Sequence, residues 1–327
     1  MFRRSLLKAA AGTALFGSAA RMAFAQSPDY PMMKKKSSYK AGFAQSESNN
    51  PWRLAETASM KDEAGKVGWQ LVYTDAASSA AKEVADVNSL IAQGVDIIFL
   101  VPREERPLIP AVMAAKKAGI PLILIDRSVD PALARPGVDY LTFIGSNFIE
   151  EGQRVGQWLA KKTNGQAKII ELEGSVGASP ANDRKSGFDG AIKAYPGMTI
   201  LASQSGDFVR DTGRQVAQTL LQAHPDATAI YAHNDEMALG AIAALQAAGK
   251  VPGKDVMVVS VDGERDGLQA IIDGTLGATC ECSPRFGPIA FATAMRYAQG
   301  DKIPPQIINK DRFFDAENAR ENLASAF

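Results

Sequence analysis

The groups best able to do chemistry in this sequence stand where apolar runs end. "LILIDRS" carries four aliphatic residues straight into Asp126 and Arg127. Asn234 closes "AIYAHND", Asp262 closes "DVMVVSVD", and Glu281 lies in "ATCECSP". Arg184 lies in "EGSVGASPANDR", and Asn50 and Trp52 follow the first apolar run in "QSESNNPW". A carboxylate accepts hydrogen bonds, a guanidinium is a rigid planar fork of donors, and a side-chain amide does both. An aromatic face covers the C–H surface on one side of a ring. This set fits a small polyhydroxylated molecule, above all a sugar. It holds no obvious pair for moving a proton.

Motifs for other chemistries are missing. No G-x-x-x-x-G-K-[ST] loop occurs, since "GKVPGKD" lacks the hydroxyl residue, and no G-x-G-x-x-G follows the first strand, so phosphate and dinucleotide cradles lack their glycine frames. No G-x-S-x-G elbow is present. The chain has two histidines: His224 in the turn-like "AHPDA", and His233 at a strand end without a nearby Ser or Cys nucleophile. Cys280 and Cys282 are the two cysteines; two residues apart on a strand, they share a face with side chains too far apart to bond, and two thiols alone make a poor metal site. The expectation is no cofactor, no metal and no enzyme activity.

The elements that must position these groups alternate. Short apolar runs such as "YKAGFA", "WQLVYT", "DIIFLVP", "AKIIELEG" and "DVMVVSVDG" read as strands buried on both faces. Between them lie helical segments. One starts at Pro51 and stops near Gly68; another puts Val84, Val87, Leu90 and Ile91 on one face and ends at Gly94. Repeated β-α alternation predicts α/β architecture with parallel sheets covered by helices, and the length accommodates two doubly wound sheets. Such sheets bind ligands beyond the carboxyl ends of their strands. The polar residues crowd into the loops after strands, whereas the opposite loops, such as "KKAGIP", are mostly Gly, Lys and Pro.

The N-terminus reads as an export signal over residues 1–25. Arg3 and Arg4 precede a short Ala- and Gly-rich apolar run, and Ala23-Phe24-Ala25 is a small-x-small cleavage site before Gln26. The run is too short and too weakly apolar for a membrane anchor. The signal carries four of the 36 basic residues and no acid, which leaves residues 26–327 with a net charge of −4. That balance gives no electrostatic case for nucleic acid or anionic membrane. Residues 26–37, "QSPDYPMMKKKS", are expected to form a flexible leader.

"LIDRS", "YAHNDEMALGA" and "SVDG" resemble the ribose-type periplasmic sugar-binding proteins of bacterial ABC importers. "GFAQSESNNPWR", "AQGVDIIFLVP", "ELEGSVGASPANDRKSGF", "SQSGDF" and "AHNDEMALGAI" are closer to the galactofuranose-binding branch. The resemblance runs from about Tyr39 to Pro305; "RRSLLK" likewise resembles the twin-arginine export motif. The resemblance implies the type I periplasmic binding protein fold. Two lobes, 38–144 plus 283–308 and 145–282 plus 309–327, would be joined by three crossovers with the sugar between them. From the N-terminal lobe it implies Asp126, Arg127, Asn50 and Trp52 as ligand contacts, with Ser46 and Glu47 in the same loop. From the second lobe it implies Arg184, Asn234 and Asp262, with Phe208 as an opposing aromatic. Glu281 takes a hinge-adjacent place where ribose binders carry Gln. Asn182 stands where ribose binders have Arg, and Trp52 where they have Phe. Both departures argue against ribose and for a hexose furanose or a related hexose or pentose.

The same resemblance implies a monomer in the periplasm that delivers its sugar to ABC permease subunits, with a chemoreceptor as an optional second reader. Each residue also has a plain structural reading. Asp126 could cap a turn, Asp262 could precede Gly263 in one, and Arg184 could be a solvated helix residue. Trp52 could be core, and Phe208 could only cover a lobe edge. Asp235 is expected to cap the helix that follows it, leaving Asn234 for the ligand. Two other functions share the cleft: the effector domain of a LacI-type regulator, which would need a helix-turn-helix in place of the signal, and a sugar-modifying enzyme.

Overall fold

Fully buried tetrapeptides of aliphatic and aromatic residues set the two sheets, because only a strand covered on both faces can bury every residue. Ile97–Leu100 (β3) and Leu122–Ile125 (β4) are buried throughout, as is Ala229–Ala232 (β8). The computed structural model describes residues 30–327, so the export signal over 1–25 and the first residues of the leader lie outside the described residues.

The first sheet is assembled from Lys40–Gln45 (β1), Gln70–Asp75 (β2), β3, β4, Thr142–Gly145 (β5) and Gln306–Ile308 (β11), in the order β11-β5-β4-β3-β1-β2, all parallel. Pro51–Val67 (α1) and Gly287–Gln299 (α9) cover one face; Ala80–Ala92 (α2) and Ile109–Lys117 (α3) cover the other. The second sheet repeats the plan with Gln166–Glu173 (β6), Gly197–Ser205 (β7), β8, Met257–Asp262 (β9), Ala278–Glu281 (β10) and Phe313–Asp315 (β12), in the order β12-β10-β9-β8-β6-β7. Only β12 is antiparallel, an edge strand that departs from the all-parallel expectation. Phe148–Lys162 (α4) and Ser179–Ile192 (α5) pack together on one face, Arg210–Ala223 (α6) and Asp235–Ala247 (α7) on the other, with Arg265–Ile272 (α8) beside α7. The chain passes between sheets after β5, after β10 and after β11.

Local chemistry explains the helix bounds. Asn50 accepts from the Arg53 N–H, Pro51 fills the first turn where its missing donor costs nothing, and Gly68 ends α1 in the left-handed region. The leader reading needs correction from Tyr30 onward. Tyr30 is 3% exposed, its hydroxyl accepts from the Leu122 N–H at 2.9 Å, and Met33 is buried with it in the core formed by α9. Two apolar side chains within reach of the open end of a sheet gain more from burial than the chain loses by ordering. Among the described residues no helix is long and apolar enough to cross a membrane.

Candidate functional site

The carboxyl ends of both sheets face each other across a small cavity. Eight residues singled out from the sequence line it: Asn50, Trp52, Asp126, Arg127, Arg184, Phe208, Asn234 and Asp262. Arg53, Pro180 and Cys282 complete the wall.

On the first lobe, Asp126 leaves β4 with φ +60, a left-handed conformation costly for a non-glycine residue. Its carboxylate accepts from Arg53 Nη2 at 2.8 Å. Arg53 also reaches Glu56 at 2.8 Å and Glu47 at 3.4 Å, and its guanidinium lies over the Trp52 ring. Trp52 Nε1 donates to the Cys282 carbonyl at 2.7 Å, so the indole is pinned across the hinge. Arg127 donates from Nη2 to Glu47 at 2.8 Å. Its Nε is buried with no hydrogen-bond partner. The Asp126 carboxylate lies 3.9 Å from it, beyond hydrogen-bond distance, so this donor is available to an acceptor in the cavity.

On the second lobe, Arg184 donates from Nε to Glu151 at 2.8 Å and from Nη1 to the His233 carbonyl at 2.6 Å, and its Nη2 lies 3.5 Å from Asp262. His233 is itself held by Glu171, with 3.1 Å between Nε2 and Oε1, and by the Gly174 N–H on Nδ1. Phe208 sits in the left-handed region, and its ring rests where a side chain on Gly174 would be. Arg127 from one lobe and Arg184 from the other stack toward this ring at 5.5 and 5.9 Å, within cation–π range. Asp262 has φ +135; burial pushes its carboxyl upward, and the neighbouring Arg184 opposes that.

Four expected contacts lie off the cavity. Ser46 is buried, and its backbone N–H donates to the Gln45 side chain. Glu47 stands behind the wall. Burial works to raise its carboxyl, but Arg127, Arg53 and Arg103 together outweigh burial and hold it at about 2. Asn182 is exposed and donates across the lobes to Glu105 at 2.8 Å. Glu281 grips Arg312 at 2.6 and 2.8 Å. Its neighbour Cys282 faces the cavity instead, because successive side chains on an extended chain point to opposite sides; the expectation was off by one residue. Both cysteines are free and buried, and burial pushes the Cys282 thiol well up.

The cap expected at Asp235 falls on Asn234, which lines the cavity as well. Asn234 caps α7, accepting from the Met237 N–H at 3.0 Å while its Nδ2 donates to the Phe208 carbonyl. Asp235 points into the lobe, accepting from Ser260, from Thr279 at 2.7 Å and from the Glu264 N–H at 2.7 Å. Arg53 had one legible signal: it follows Trp52 in the first turn of a helix whose start already carried Asn50. Pro180 had none.

The family description "Periplasmic binding protein domain" matches residues 41–302. The chain is 39% identical to the galactofuranose-binding protein YtfQ of Escherichia coli (strain K12), over 86% of this chain and 89% of that one. It is 40% identical to the ribose import binding protein RbsB of the same organism, over 78% and 83%. Its fold matches the periplasmic binding protein component of the arabinose ABC transporter from Shewanella sp. ANA-3, bound to alpha- and beta-L-arabinofuranose. The TM-score is 0.82 at 39% identity, covering 88% of this chain and 95% of that chain. These relatives are sugar-binding proteins, not enzymes or regulators.

Proposed function

The chain belongs to the periplasmic binding protein family, and from that premise we propose that it captures a sugar in its furanose form between its lobes, in the periplasm, and delivers it to an ABC permease. The observation that carries this reading is the buried Arg127 Nε, which makes no hydrogen bond and has only Asp126 at 3.9 Å beside it, in a wall that also holds Asp126, Arg184 and Asp262. A ring or side-chain hydroxyl supplies the acceptor it lacks, and Asp126 and Asp262 accept from neighbouring hydroxyls. Trp52 and Phe208 cover the apolar edges of the ring. One relative named for galactofuranose and one whose structure is bound to L-arabinofuranose support the furanose choice.

The mechanism is closure about the three crossovers, with 38–144 plus 283–308 moving against 145–282 plus 309–327. The sugar bridges groups that only the closed form brings together, so it shifts the open–closed balance. The permease then reads the closed shape.

A thermal-shift screen of pentoses and hexoses tests the binding. A sugar at a hundred times its Kd adds about 2.7 kcal/mol of stability by mass action. Arg127→Ala and Asp262→Ala are each expected to weaken calorimetric affinity about a hundredfold while the protein stays folded, the size seen when a central anchoring group is truncated. No shift with any sugar, or unchanged affinity in both variants, overturns the reading.

A further inference from the structure

Beside the cavity, one side chain that does not line it joins the two lobes. Arg103, in the loop after β3, places Nη1 on Glu47 and Nη2 on Asp207 Oδ1 at 2.9 Å. Glu47 belongs to the same lobe as Arg103 and holds both Arg127 and Arg53. Asp207 belongs to the other lobe, immediately before Phe208, and both adopt the left-handed conformation, with φ +57 and +60. The backbone of Arg103 is fixed in turn by Glu83, which accepts its N–H at 3.0 Å.

We infer that Arg103 is a latch that couples the occupied cavity to lobe closure and sets how long the sugar stays. This inference rests on the sugar-capture reading above. When the lobes part, Arg103 and Glu47 move together, and of the two ion pairs of Arg103 only the one to Asp207 breaks. Arg103 and Glu47 side chains are 11% and 3% exposed, whereas Asp207 is 41% exposed, so the breakable end is the one water can reach. That bond also restrains the turn that carries Phe208 over the ring. Nearby links, from the Glu105 N–H to the Gly177 carbonyl and from Asn182 to Glu105, keep the same two loops together. Glu47 makes the device sensitive to the cavity. One carboxylate serves Arg127 on the wall and Arg103 at the latch, so an acceptor that draws Arg127 inward leaves Glu47 to Arg103 and Arg53. Arg103 touches no ligand; it acts as a positioning residue.

Stopped-flow binding of L-arabinose and D-galactose, followed by intrinsic fluorescence, tests this. Asp207→Asn keeps a residue that tolerates the left-handed turn but removes the charge. It is expected to raise the dissociation rate about fivefold, the upper size for a partly exposed ion pair, with the association rate and the melting temperature of the ligand-free protein unchanged. Arg103→Gln is expected to do the same, and the double variant no more than either alone. Raising salt should accelerate dissociation from the wild type and not from Asp207→Asn. Unchanged dissociation in Asp207→Asn, or effects that simply add, overturns the latch. If neither sugar binds the wild type, it is the sugar reading for these probes that fails. The latch is then judged by single-molecule energy transfer between dyes on the two lobes of the ligand-free protein. A closed fraction that falls in Asp207→Asn supports it, and an identical fraction sinks it.

Discussion

Glu47 shows how a residue off the cavity governs those on it. Three arginines converge on it, and burial alone would make it a poor anion. Because they hold its carboxyl at about 2, below the ordinary carboxylate value, its stabilising contribution is present at neutral pH. That contribution is lost as pH falls from about 4.5 through about 2, where the folded form must finally take up the proton, a change on the order of 3 kcal/mol. Melting the wild type and Glu47→Gln between pH 6 and pH 3 checks this. The variant is expected to be less stable at pH 6 and to lose less on acidification; parallel curves would contradict the assignment. The identity of such a hub was only half legible. Glu47 stood in a loop flagged by its polar residues, but Arg103 and Arg127 come from two other loops and Arg53 from the first turn of α1, and no spacing in the sequence brings them to one carboxylate. Asn234 and Asp235 teach the same limit: both are good capping residues, and which of them caps is settled by Ser260 and Thr279, which draw Asp235 inward.

At the scale of elements, two glycines set the distance between α4 and α5 and so the depth of Arg184. A side chain at Gly152 would strike the Arg184 carbonyl oxygen and crowd the Phe188 N–H, and one at Gly187 would strike the Ile149 carbonyl. The two helices therefore pack backbone to backbone, and Arg184 is delivered to Glu151, His233 and Asp262 together. Gly152→Ala is expected to cost about 1–3 kcal/mol by overpacking and to weaken sugar affinity, as α5 moves away with Arg184. Denaturant melts and calorimetry read the two effects separately, and a stable variant with full affinity would show the spacing to be slack. The helices themselves were legible because their signals are local: Asn50 with Pro51 at the start of α1, Gly68 at its end, an apolar face in α2. The glycine contacts were not, since nothing in "EEGQRVGQ" names the helix it meets.

At the scale of the whole molecule, two sheets with the same strand order face each other by their carboxyl ends, linked by three crossovers near one edge. Such linkage permits rotation about the crossovers while each lobe keeps its own core. Solution scattering is expected to show the radius of gyration contracting when a bound sugar saturates the protein, with Glu281→Gln altering the extent because Glu281 holds Arg312 beside the third crossover. Saturation without contraction would rule out closure as the mechanism. The family resemblance picked out eight of the eleven residues of the cavity wall; the sequence by itself determined the α/β class, the number of sheets and the end of each strand where polar groups gather. Those features are written in local periods, in caps and in the abrupt change from aliphatic to charged residues. The tertiary structure alone decided that Cys282 and not Glu281 faces the cavity, that Tyr30 and Met33 belong to the core, and that Arg127 keeps a donor unspent. Each of these depends on which way one side chain points relative to a segment distant in the chain. That direction follows from how the whole fold closes, not from the residues beside it.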